Sequence, residues 1–384
     1  MVTGAYFPEM SGAGLQCREL VRAVRGYVTV AVLTTTTDRT LPSESLVDGV
    51  PVYRVYVDPA RAWTKLTAAL RMTWVFLRER RHHAILHLHG FSQKSILLVM
   101  LALLTRARLA IKMTSVGHDD AVSMRTRGRV AYWCFSRARA FFGVSPRFRA
   151  LYAESSLPEE RFRLIPNGVD LKRFRPATED ERRVLRRELG FHADAFIVIF
   201  VGFFSREKCP DLLFTAWSKV ARREAVPSAL VFVGATRSTY YEVDRTLATE
   251  IRSQAVALGL EHWIHCVEAT AEIEKYYRAA DVFAMPSVRE GLPNALLEAM
   301  ACGKACVVTR LEGVTDTLIE DGVSGLLVPP RDEAALEGAL AGLMQQPDKV
   351  RKMGARARER VSDDFAITDT ARAYVAAYKE LAAS

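Results

Sequence analysis

Short apolar runs rich in Val, Ile and Phe recur along this chain, separated by amphipathic stretches of helical length. That alternation is the sequence form of repeated β-α units built on a mostly parallel sheet. In the first half the spacing predicts strands at 27–34, 52–57, 84–87, 110–114 and 140–145. In the second it predicts strands at 196–201, 229–233, 264–266, 282–285, 305–309 and 325–328, with helices such as 211–222, 240–257 and 332–343. Each set suffices for one doubly wound domain. The chain has 384 residues, more than one core supports, since single cores stop growing near roughly 250 to 300 residues. The expected class is therefore α/β, with two doubly wound domains facing each other across a cleft.

The crossover is read at Ile165-Pro-Asn-Gly-Val-Asp170, where Pro and Asn-Gly favour a turn over regular structure. This gives an N-terminal domain of 1–170 and a C-terminal domain of 171–365, with a closing helix within 366–384 packing back on the first. Before the loop at Phe7 only Met1 to Tyr6 remain for a first strand, so that strand is very short or the assigned start is late.

Hydrophobic content of 49% and charged content of 25% exclude a disordered or fibrous chain. No apolar run reaches the roughly 18 to 20 residues of a membrane span; the best, 95–104, runs into Arg106 and Arg108. The N-terminus shows neither the basic start nor the apolar stretch of a secretory signal, so the cytoplasm is expected, with association at the cytoplasmic membrane face left open. Cys17, Cys134, Cys209, Cys266, Cys302 and Cys306 show no Cys-x2-Cys spacing and read as buried free thiols rather than metal ligands.

Charge is divided unequally. Met1 to Pro176 carries 27 Lys and Arg against 13 Asp and Glu, a net +14, while the remainder carries 26 against 31, a net −5. A basic half reads either as a face for an anionic partner, namely nucleic acid, an anionic bilayer or a phosphorylated acceptor, or as an Arg-rich solvated surface. No helix-turn-helix, zinc finger or basic-aromatic sheet motif supports nucleic acid, so none is expected. The stretch from Arg61 to His83, with Trp63 and Trp74, reads either as a core helix with a solvated rim or as an interfacial helix on an anionic membrane.

The most informative stretch is Pro286-Ser-Val-Arg-Glu-Gly-Leu-Pro-Asn-Ala-Leu-Leu-Glu-Ala-Met-Ala-Cys-Gly303, which follows a strand and begins a helix. Pro293 suits the first helical turn, where its missing N–H would be unsatisfied anyway. The N–H groups of Gly291, Leu292 and Asn294 then lie at the positive helix end, a seat for phosphate. Glu290 precedes the helix and Glu298 lies within it, at most roughly 12 Å further along the axis. By spacing alone, two such acids are equally well solvated carboxylates near a helix start.

This stretch resembles the Glu-x7-Glu pattern of the retaining, metal-independent glycosyltransferases of family 4, the group 1 glycosyltransferases, which have the GT-B fold of two Rossmann-like domains. Glu290, Gly291, Pro293, Asn294, Leu297, Glu298, Ala299, Met300 and Gly303 stand where that pattern expects them. Pro166 to Asp170 with Phe174 and Pro176 resembles the family's crossover, and Asp321 to Pro329 the segment after its donor site. Phe200-Val-Gly-Phe-Phe-Ser-Arg-Glu-Lys-Cys-Pro-Asp211 is similar to the loop carrying the family's phosphate-binding cations. Lys208 takes the lysine's place; Phe203 stands where the family has an arginine after Gly202, and Arg206 is expected to supply that charge.

Phe7 to Gly14 resembles the glycine-rich loop that faces the donor phosphates, and a plain turn suits the same residues. The family often places a histidine near the sugar, for which His118 is the first choice and His89 the second. Asp119 and Asp120 suit either an acceptor hydroxyl or a helix cap, and base contacts are expected from the backbone near 267–270. The resemblance thus implies Glu290, Lys208 and His118 as catalytic residues. It implies Arg206, Glu298, Gly291, Leu292, Pro293, Asn294, Gly12 and Gly202 as donor-binding, with no metal and no cofactor beyond the nucleotide diphosphate sugar co-substrate. The reaction implied is transfer of a hexose-type sugar, with retained configuration, to a hydroxyl of a glycan or lipid-linked saccharide. A nucleotide-sugar epimerase on the same fold is the alternative.

Overall fold

The computed structural model describes residues 1–9, 11–234, 243–268 and 270–383. The chain divides into two compact units, Met1–Gly168 with Ile367–Ser384, and Val169–Ala366. The chain thus passes between them at 168/169 and again at 366/367.

The first unit holds β1 (Val2–Thr3), β2 (Val32–Thr36), β3 (Glu44–Val47), β4 (Val50–Tyr56), β5 (Ile85–His89), β6 (Arg108–Lys112), β7 (Ala140–Gly143) and β8 (Phe162–Leu164). Their order across the sheet is β3-β4-β2-β1-β5-β6-β7-β8, and every pairing is parallel except β3 with β4. That hairpin turns through Asp48 and Gly49, both at positive φ, as a two-residue turn matching strand twist requires. The expected strand 27–34 begins only at Val32, because Tyr27 and Val28 still donate to the carbonyl of Val24 at the end of the preceding helix. The core gathers Leu20, Val21, Val32, Val52 and Phe142 with Tyr374, Tyr378 and Leu381 from the closing helix Ile367–Ala383.

The second unit holds β9 (Phe196–Val201), β10 (Ser228–Val233), β11 (Ile264–Val267), β12 (Val282–Met285), β13 (Ala305–Thr309) and β14 (Leu326–Val328), in the order β11-β10-β9-β12-β13-β14 and all parallel. The expected helix 240–257 is described from Arg245 to Ala257; its first residues, 240–242, lie outside the described residues. The chain winds outward from β9 in one direction and from β12 in the other, so the carboxyl ends of these two neighbours form the topological switch point where open α/β sheets bind ligands. In the first unit, β1 and β5 hold the same position.

Candidate active site

Two loops meet at the β9/β12 switch point. After β9 the chain runs Gly202 to Cys209 and enters the helix Pro210–Arg223; Phe204 pins this loop by packing against Phe200 and Phe232 in the core. After β12 it runs Pro286 to Pro293 and enters the helix Asn294–Ala301. Val288 N–H donates to the Glu207 carbonyl at 2.8 Å, and Arg289 pairs with the Glu207 carboxylate at 2.6 Å. This lacing brings the Lys208 Nζ to 2.6 Å from the Glu290 Oε1. The Glu290 carboxylate is largely shielded while the Lys208 ammonium keeps some exposure, so the pair presents its cation outward.

The Asn294–Ala301 helix forms because Ala, Leu, Met and Glu favour it, and burial of Leu296, Leu297, Ala299, Met300 and Ala301 holds it against the sheet. It ends at Gly303, φ +68°, where Lys304 N–H reaches the Ala299 carbonyl and Gly303 N–H that of Met300, a Schellman closure. At the other end the expectation is corrected: Pro293 is the N-cap residue, with φ −74° and ψ 112°, rather than part of the first turn. Extended backbone there turns the chain into the helix without a capping side chain, so the N–H groups of the first turn have no helical acceptor. Gly291 and Leu292 are buried in the approach to it, and Asn294 is half-buried at its first position.

Glu298 stands in this helix half-buried, and its Oε2 accepts a hydrogen bond from the hydroxyl of Tyr277 at 3.0 Å. Tyr277 is fully buried between Phe174 and Phe283. Burial, then the nearby carboxylate, push its phenol well above the usual range, so it stays a donor and fixes the Glu298 orientation. Sequence reasoning missed Tyr277, because nothing local links it to a residue 21 positions later.

Arg206, in the same loop as Lys208, has acidic partners of its own. Its guanidinium reaches Asp244 at 3.0 Å, Glu250 at 3.4 Å and Asp211 at 3.6 Å, carboxylates at the entry to the Pro210–Arg223 helix and around the Arg245–Ala257 helix. Arg289 is a second cation tied to this loop, through Glu207. Gly202 closes β9 with its N–H on the Val233 carbonyl. A Cβ on Gly202 would make only ordinary contact with the Phe200 ring at 3.5 Å, whereas Gly234, at φ +150°, approaches so closely that a Cβ there would lie 2.0 Å from the Gly202 oxygen. The segment expected to supply base contacts, 267–270, includes residue 269, which lies outside the described residues.

In the first unit the loop after β1 leads to the helix Gly12–Val24, capped by Ser11, whose hydroxyl accepts from Gly14 N–H. Residue 10 of this loop lies outside the described residues. Gly12 has open space around it, whereas a Cβ on Gly14 would lie 2.2 Å from the Ala5 carbonyl oxygen. Close backbone packing in this loop therefore falls on Gly14, and Gly12 is the glycine exposed toward solvent.

His118 lies after β6, its Nδ1 accepting from Arg127 at 2.7 Å; an arginine donates only, so the ring proton sits on Nε2. His89 is buried at the end of β5, its ring 4.4 Å from that of His87. Burial holds both imidazoles well below their usual range, hence neutral. His89 is thus a buried, neutral side chain of the first unit. Asp119 and Asp120 are committed to their own loop: Asp119 accepts from Thr114 and Ser115, Asp120 from Gly117, Val122 and Ser123. The helix-cap alternative accounts for Asp120, and an Asx-type loop staple accounts for Asp119.

Comparison with known proteins adds the following. Residues 181–360 match the family model described as glycosyl transferases group 1, and residues 11–168 match that of a glycosyl transferase 4-like domain. A D-inositol 3-phosphate glycosyltransferase of Geodermatophilus obscurus is 34% identical over 229 residues, covering 58% of this chain and 48% of that one. An alpha-maltose-1-phosphate synthase of Mycolicibacterium smegmatis is 30% identical over 254 residues, 64% of each chain. The match spans about half the length of the inositol-phosphate relatives. Among solved structures, HepE of Anabaena in complex with UDP and glucose gives a TM-score of 0.80 at 19% identity over 98% of both chains. A sucrose-phosphate synthase of Thermosynechococcus elongatus gives 0.82 at 23% identity over 100% and 98%. At such identities these likenesses speak for the fold.

Proposed function

The chain belongs to the group 1 glycosyltransferases and has their GT-B fold, and on that premise we propose that it moves a hexose-type sugar from a nucleotide diphosphate sugar to a hydroxyl of a glycan or lipid-linked saccharide, with retention and without a metal. The observation that carries this reading is the Lys208–Glu290 pair at 2.6 Å on the β9/β12 switch point, beside the first turn of the Asn294–Ala301 helix.

A departing nucleoside diphosphate gains negative charge, which cations and aligned N–H groups must meet. Lys208, whose position the Glu290 carboxylate fixes, faces the phosphates, and the uncapped first turn of the helix supplies the N–H groups. Glu290 accepts a sugar hydroxyl, and Glu298, oriented by Tyr277, accepts hydroxyls of the ribose. With retention, the leaving phosphate oxygen takes the acceptor proton on the face where the new bond forms, so no enzyme nucleophile is required. Two relatives named for phosphorylated sugars or inositol, together with the basic first half, support an acceptor that carries phosphate.

The test is a panel of nucleotide sugars with UDP, GDP and ADP leaving groups. A ligand at about 100 times its Kd adds roughly 2.7 kcal/mol of stability, so the true donor raises Tm. Slow release of free nucleotide without acceptor supports the transferase. An epimerised nucleotide sugar, or no shift with any donor, overturns the reading.

A further inference from the structure

The helix Ala62–Glu79 buries Thr64, Ala68, Met72, Val75 and Phe76 against its own unit. Its opposite face is also apolar: Trp63, Leu66, Leu70, Trp74 and Leu77 are each between 44% and 65% exposed. At 3.6 residues per turn these five fall within an arc of about 80°, so the helix is apolar on two faces and only one has a partner. The packed neighbouring helices also carry exposed apolar residues. Met100 and Leu104 are exposed on Gln93–Leu104, and Val130 and Trp133 on Arg129–Phe135. Scattered exposed apolar residues are ordinary, but a five-residue ridge along one helix face, with further exposed apolar residues on the helices packed next in line, marks an interaction surface.

Its border is net cationic. From Arg61 to Arg108 the chain has nine Lys and Arg and one acid, Glu79, which accepts from the hydroxyl of Tyr53 at 2.7 Å; from outside this stretch Glu44 pairs with Arg71 at 3.0 Å and Arg78 at 3.3 Å, and Asp58 with Arg61 at 3.3 Å, so cations still outnumber acids. Arg71 and Arg78 lie over the Trp74 ring at 4.6 and 5.1 Å, and Arg137 lies over Trp133 at 4.6 Å. Arginines stacked beside exposed tryptophans, flanking a leucine ridge, complement a surface with anionic groups outside and hydrocarbon beneath. A ridge on the outside of helices enters a fluid surface, whereas a folded protein partner would need a matching groove. No described helix is long and apolar enough to cross a membrane, so contact by such a ridge would be peripheral.

We propose that the face formed by the helices Ala62–Glu79, Gln93–Leu104 and Arg129–Phe135 docks the first unit on an anionic lipid bilayer, with the leucine ridge inserted and the arginines at headgroup level. This surface is independent of the donor site, so its test reads binding rather than turnover. The full chain is co-sedimented with vesicles of phosphatidylcholine alone and of phosphatidylcholine mixed with phosphatidylglycerol, at low and high salt. Wild type is expected on the anionic vesicles, with roughly tenfold less bound on the neutral ones and a decline with salt. Leu66→Glu with Leu70→Glu, both at exposed positions, is expected to abolish retention while circular dichroism and Tm stay as in wild type. Failure to bind, equal binding to both vesicles, or binding unchanged by the double variant overturns the proposal. So does a wild-type dimer in sedimentation equilibrium that the same variant dissociates, since a second copy would then be the occupant.

Discussion

Lys208 and Glu290 are separated by 82 residues in sequence and by 2.6 Å in space, each held by the loop of a different strand. Removing the ammonium leaves the fold nearly untouched, since a partly exposed pair contributes about 1 kcal/mol or less, but takes away a cation aimed at developing charge. Lys208→Ala is therefore expected to keep its Tm within a few degrees and to lose about 100-fold or more in turnover, measured by nucleotide release. Tyr277→Phe removes the donor that orients Glu298 and is expected to raise donor KM several-fold with kcat nearly unchanged. A fall in Tm with KM and kcat both unchanged would assign Tyr277 a purely structural role.

Lys112 offers a pH test: it is fully buried, donating to Gln16 and to Asn167, and burial pulls its ammonium down to about 7. Between about 7 and its ordinary 10.5 the unfolded chain binds a proton that the folded chain does not, so stability rises with pH through that window. Lys112→Met is expected to flatten this slope in urea unfolding at pH 7 to 9. The pairing motif around Glu290 was legible because the residues that carry it are contiguous. Arg206 was not, since Asp244 and Glu250 lie 38 and 44 residues away and only the packed helix delivers them.

Among the elements, glycine positions separate packing from ligand approach. Gly14→Ala drives a methyl group into the Ala5 carbonyl and is expected to cost about 2 to 4 kcal/mol by displacing the Gly12–Val24 helix. Gly12→Ala meets open space and is expected to change stability by about 0.5 kcal/mol or less, so any accompanying loss of donor affinity reports close approach of the ligand. Thermal denaturation of the two variants decides this. The six strands of the second sheet were readable from sequence because each is a short, mainly apolar run, and β9, β10, β12 and β13 are buried on both faces. β3 and β8 were not: β3 is an edge strand with half its residues exposed, and β8 has only three residues. The Asp48-Gly49 turn was nevertheless a hairpin signal, and it would have located β3.

For the whole molecule, sequence alone conveyed two α/β units, because the alternation of strands and helices needs no tertiary information. The order of strands within each sheet was not legible, since hydrophobic period says nothing about which strands become neighbours, and that order is what puts Lys208 and Glu290 on adjacent strand ends. The chain returns at 366/367 so that Tyr374, Val375, Tyr378 and Leu381 complete the first core. At about 1.5 to 3 kcal/mol for each buried apolar side chain, losing these four would cost about 6 to 12 kcal/mol, comparable with the roughly 5 to 15 kcal/mol that holds a domain together. Deletion of 367–384 is therefore expected to expose 1–168 to limited proteolysis while 169–366 resists; mass spectrometry of the fragments checks it, and a protected 1–168 would contradict it. The same return has a consequence during synthesis. On the ribosome the segment made first must wait, unfinished, for the last helix to emerge, while the segment made second already has all its strands. The later half of the message is thus expected to reach its native form before the earlier half, reversing the usual order of a growing polypeptide.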